Sequence, residues 1–135
     1  MKPVIVRLLC LWGLLVLLTG CPTPYQQLES DYFSDQFSKA AIGASQLPDD
    51  ETNRALLADF FKRNHRLFVP ELRQHCQLLS ESPSPDSVDT LKQTVTAISH
   101  LQTQFPQYIP EMLVQSCQRS YDNALLTFSS NSQLG

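Results

Sequence analysis

Thiols are the most reactive groups in this chain, and their placement sorts them. Cys21 closes the run Leu18-Thr19-Gly20-Cys21, Cys10 lies in the apolar stretch before it, and Cys76 and Cys117 sit far downstream in amphipathic sequence. A thiolate is a much better nucleophile than a hydroxyl near neutral pH, so Cys21 suits S-alkylation. The remaining candidates do less. His75 adjoins Cys76, but neighbours on a helix point about 100° apart, so the two cannot easily work as nucleophile and base. His65, His75 and His100 are scattered without metal-ligand spacing, and neither His-Glu-x-x-His nor Cys-x-x-Cys occurs. Asp49, Asp50 and Glu51 are better explained as acids at a helix start than as paired carboxylates. After Gly20 the only glycines are Gly43 and Gly135, which leaves no phosphate-cradling loop and no nucleophile elbow. The expectation is a protein with no catalytic centre, no metal and no cofactor.

The elements around Cys21 explain its position. Lys2 and Arg7 give the first residues a positive charge with no acid. Leu8 to Leu18 is then an unbroken run of Leu, Val, Cys, Trp and Gly. This is the basic and apolar order of a secretory leader, and it is too short for the roughly 20 residues that cross a bilayer as a helix. With Leu18, Thr19, Gly20 and Cys21 at its end, the segment resembles the precursors of bacterial lipoproteins, whose lipobox ends in an obligatory cysteine. The resemblance implies cleavage between Gly20 and Cys21, a diacylglyceryl thioether on Cys21 and an acyl chain, typically palmitate, on the new amino terminus. Two or three chains hold a protein on a membrane durably. In such lipoproteins Asp after the lipidated Cys favours the inner membrane; with Pro22 in that place, the resemblance implies the outer membrane, facing the periplasm.

The rest follows from that reading. Without Lys2 and Arg7, 8 of the 10 basic side chains remain against 13 acids, a net charge of −5. No basic surplus exists to neutralise phosphates, so no nucleic-acid partner is expected. Only Cys76 and Cys117 are left as free thiols, and in an oxidising compartment they should pair. Two reduced core thiols are the alternative. The expected layout is a cleaved leader over 1–20, the lipidated Cys and a short tether over 21–27, a helical domain over 28–130 and a frayed tail over 131–135.

Hydrophobic period in the domain is helical throughout. Leu28, Tyr32, Phe33, Phe37, Ala40 and Ala41 form one stripe, expected to end near Gly43. Pro48-Asp49-Asp50-Glu51 starts a helix carrying Leu56, Leu57, Phe60 and Phe61, and Pro70-Glu71 is expected to start another carrying Leu72, Cys76 and Leu79. Ser84 and Pro85 cap a helix with Val88, Leu91, Val95, Ile98 and Leu101 that should stop near Pro106. Pro110-Glu111 opens the last, with Leu113, Cys117, Tyr121, Leu125 and Phe128 on one face. No strand pattern persists. The fold expected is all-α, a small antiparallel bundle of four to five helices with one disulfide.

Two segments are alike: Phe68-Val69-Pro70-Glu71-Leu72 before Gln74-His75-Cys76-Gln77, and Tyr108-Ile109-Pro110-Glu111-Met112 before Gln115-Ser116-Cys117-Gln118. They suggest two helical hairpins about a pseudo-twofold axis, or else two independent uses of Pro-Glu as a helix start. Lys62, Arg63, His65 and Arg66, with Arg73 nearby, form the one basic cluster. It reads either as favourable charge at a helix C-terminus or as a patch for anionic head groups or an acidic partner segment. Phe60, Phe61, Phe68, Tyr108 and Tyr121 are core residues or the lining of a partner groove. In size, anchor, helical content and Cys pair the chain is similar in outline to the pilotins, small lipoproteins that deliver secretins to the outer membrane. Some pilotins carry an acidic helix start like Leu47-Pro48-Asp49-Asp50, but here Cys76 follows that start, and no binding residues carry over. The resemblance implies a membrane-anchored adaptor for an envelope protein. A helical lipoprotein binding a lipid or small apolar ligand is the alternative.

Overall fold

The computed structural model describes residues 22–134, with side chains described through Ser130; the leader, the Leu18–Cys21 motif and Gly135 lie outside it. The described residues form five α-helices and no strand: α1 (Pro24–Phe33), α2 (Phe37–Gln46), α3 (Glu51–Glu81), α4 (Pro85–Gln104) and α5 (Glu111–Leu134). Local chemistry accounts for most of their starts. Thr23 caps α1 in a capping box with Gln26, and Pro24 occupies the first turn. The Asp50 carboxylate accepts from the Asn53 amide at 2.7 Å at the head of α3. Ser84 and Ser87 form a second capping box at α4, with Pro85 following the cap as expected.

Three boundaries differ from the sequence reading. α1 begins at Pro24, inside the stretch 21–27 read as a tether, because Pro24 is pre-set for a first helical turn and Thr23 satisfies the amide of Gln26. The first stripe is two helices. The chain leaves α1 at Ser34 and turns through Asp35, whose φ of 60° is left-handed, a conformation tolerated by Asp better than by most residues. Gly43, expected at the end of that stripe, lies inside α2. A Cβ added at Gly43 meets nothing within 4 Å. Gly43→Ala is therefore expected to stabilise the fold by about 0.5–1 kcal/mol, read as a raised urea midpoint.

The largest departure is at Pro70. No new helix starts there; α3 runs without interruption for 31 residues, about 46 Å. An interior proline withdraws one backbone donor and costs about 3 kcal/mol. Phe60, Phe61 and Phe68 before it and Leu72 and Cys76 after it are fully buried on one face. Each such burial contributes about 1.5–3 kcal/mol, so unbroken packing outweighs the local penalty. The first Pro-Glu segment is thus mid-helix and the second heads a helix, so the two-hairpin duplication fails. Equally, α5 continues to Leu134, into residues read as a tail.

The helices alternate in direction, so α3 and α5 run the same way with α4 opposed to both. α1 also runs alongside α3: Tyr25 meets Phe60 at 6.5 Å and Tyr32 meets Phe68 at 6.1 Å. α2 packs on α4 and on α1. Cys76 of α3 and Cys117 of α5 form the disulfide, with Cα atoms 5.3 Å apart. Phe105 and Ile109, in the connection between α4 and α5, are buried too, and Phe105 meets Phe61 at 5.4 Å. Of the last stripe, Leu125 is exposed and Ala124 takes the core position.

Candidate functional site

The surface feature with the most chemistry lies where α3 passes the connection from α4 to α5. Pro70 lines one side on α3, and Pro106, Tyr108 and Pro110 form the facing wall. Between them is an open notch of about 300 Å³, floored by Val69 and edged by Arg66. That size is at the small end of ligand pockets, with room for one aromatic or branched aliphatic side chain. Its geometry is set from within. Phe105 and Ile109 anchor the connection in the core, so the prolines between and after them are held at the surface. The His65 ring packs against Tyr108 at a tilt of 44° with centroids 5.2 Å apart, and its Nδ1–H donates to the Phe61 carbonyl at 2.8 Å. Both walls are therefore fixed by contacts that do not depend on an occupant.

The basic cluster separates into two parts. Arg63 pairs with Asp59, one turn earlier on α3, at 2.9 Å, and its guanidinium lies beside Tyr25 of α1. Burial raises the Tyr25 hydroxyl above its usual pKa, with Glu29 acting in the same direction and Arg63 against it. Lys62, Arg66 and Arg73 recur with Val69 at helical spacing on the opposite flank, all three exposed. Beyond the notch, Arg73 and Arg119 flank a shallow trough between α3 and α5, with Glu81 at its far edge. Among the described residues the ion pairs are Arg54–Asp49 and Arg63–Asp59, so Lys62, Arg66, Arg73 and Arg119 have no carboxylate at pairing distance. The reading of this cluster as charge at a helix C-terminus does not hold. These residues lie mid-helix, and the dipole acts only over the last turn. Sequence reasoning missed Arg119, Pro106 and the part played by Pro70. The recurrence of prolines at 70, 106 and 110 was the available signal.

Of the five aromatic residues considered for a groove, Phe60, Phe61 and Phe68 are buried in the core, Tyr121 packs half-buried against it, and Tyr108 alone lines the notch. His75 is half-buried beside the disulfide, and burial lowers its pKa from the usual 6.5. A depressed folded pKa means the unfolded chain takes up the proton first. Stability present above about pH 6.5 is therefore expected to decline as the pH falls below it, and His75→Gln should flatten that decline in urea midpoints taken at pH 7.5 and 5. Among the described residues no helix is long and apolar enough to cross a membrane, and no group of three or more His, Cys, Asp or Glu side chains is placed to hold a metal. Compared with known proteins, the chain matches no family model, no curated protein and no solved structure.

Proposed function

We propose that this chain is a lipid-anchored envelope lipoprotein of the outer membrane, facing the periplasm, whose helical domain is an adaptor for another envelope protein, in the manner of a pilotin. The observation that carries this reading is the built face on α3 and the α4–α5 connection. It combines a pre-formed apolar notch with cations left unpaired in a chain whose acids outnumber its bases. The anchor supports it. α1 begins three residues after Cys21. An extended link of that length spans only about 10 Å, so a lipid on Cys21 would keep the bundle against the bilayer, where a membrane-bound partner is within reach.

The alternative, a carrier of a lipid or small apolar ligand, would use the same notch, whose walls are mostly apolar. One preparation tests both. Native protein is purified from envelope membranes with minimal detergent, its mass is measured, and bound protein and lipid are identified by mass spectrometry. A diacylated Cys21 with a single stoichiometric envelope protein supports the adaptor. Stoichiometric lipid without a protein partner turns the case to the carrier, and a free thiol at Cys21 or a retained leader removes the anchor.

A further inference from the structure

We infer that the face holding the notch takes an acidic segment of its partner, with one aromatic or branched apolar side chain seated between flanking carboxylates. This rests on the adaptor reading and names the chemistry of the partner. Along α3, Lys62 and Arg66 precede the notch and Arg73 follows it, with Arg119 of α5 beside Arg73. Arg66 and Arg73 are seven residues apart, about 10 Å along the helix axis. An extended chain advances about 3.3 Å per residue, so three residues cover that interval. The occupant thus carries an acid and, three positions on, a second acid, with the seated apolar side chain at one of the two positions between them.

The notch supplies the anchor point and the cations supply sign and register. Arg guanidinium groups are also suited to bidentate carboxylate pairing, and Arg66 and Arg73 have full freedom to adopt it because neither is engaged within the domain. The neighbouring acids do not cancel this charge. Glu71 faces Tyr32 on the α1 side, Glu81 lies at the far end of the trough, and Glu111, which follows Pro110 in the first turn of α5, is not within ion-pair distance of Arg66 or Arg73. An anionic bilayer is the competing partner, but a flat array of head groups leaves the notch empty.

The test uses the full chain in detergent and a fluorescein-labelled nine-residue peptide, with one central phenylalanine and two glutamates on each side, followed by anisotropy. Saturable binding is expected. It should weaken about tenfold when the peptide's phenylalanine becomes alanine, and about tenfold in the double variant Arg66→Gln/Arg73→Gln. It should be unchanged in Arg63→Gln, whose charge is already paired. Thermal melts should show that all three proteins are folded, since each replaced side chain is exposed. No saturable binding to the unaltered chain, or equal binding by the double variant, overturns the inference. So does double-variant-sensitive binding to phosphatidylglycerol vesicles that the peptide fails to displace, which would assign the cations to a membrane. Partner capture from envelope membranes keeps the two readings apart. A partner retained by the double variant leaves the adaptor standing and removes this face, whereas no partner with either protein removes the adaptor itself.

Discussion

Replacing Cys76 and Cys117 together by alanine is expected to lower the unfolding free energy by about 4 kcal/mol, measured by urea denaturation of oxidised parent against variant. The disulfide closes a loop of sequence separation 41, and that length sets the chain-entropy cost the bridge removes from the unfolded state. Both side chains are completely buried, so alanine leaves a small void but no stranded polar group. The loss should be shared with structure near the notch. The bridge holds the first turns of α5 on α3, and Pro110, one wall of the notch, immediately precedes α5. A shift below about 1 kcal/mol would mean that the reduced chain keeps much of its order when unfolded, and would refute the entropic account. Adding dithiothreitol to the parent in denaturant should reproduce the variant's midpoint.

The second large effect is expected at Phe68. Its ring lies 6.1 Å from Tyr32, 6.4 Å from Phe37, 6.4 Å from Phe60 and 5.8 Å from Phe61. It is the point at which α1, α2 and α3 share one aromatic cluster. Phe68→Ala should cost about 3–5 kcal/mol, combining lost burial with a cavity that rigid helices cannot close. Leu67 is the natural control. It is 56% exposed, and Leu67→Ala should change stability by no more than about 0.5 kcal/mol. Both are read from urea curves at unchanged slope. Equal effects at the two positions would mean that α3 is rotated from the orientation described, and the split of Arg63 from Lys62 and Arg66 would fall with it.

That split shows how far a face can be read from a linear pattern. Helical period placed Phe60, Phe61, Leu72 and Cys76 in the core correctly, because burial demands an apolar side chain at each inward turn. It could not say which flank of α3 a cation would occupy, since flanks differ only in which helix lies alongside. Asp59 and Tyr25 capture Arg63, whereas Arg66 meets the α4–α5 connection. Phe105 and Ile109 were overlooked for a related reason. They belong to a connection, and connections are normally solvated.

Signals that act over three or four residues were legible before any fold was known. Ser84 and Pro85 could cap α4 and Asp50 could cap α3 wherever those helices lay, because the bonds they make are to their own next turn. The pairing of Cys76 with Cys117 was legible for a different reason, since few thiols remained to choose among. Pro70 was decided otherwise. Its local preference argues for a helix start, and only the buried residues on both sides, held by α1, α2 and α5, make it cheaper to continue α3. The notch exists because of that outcome: a proline kept inside a helix meets prolines from a distant connection, a juxtaposition set by packing across the bundle and by no neighbour in the chain.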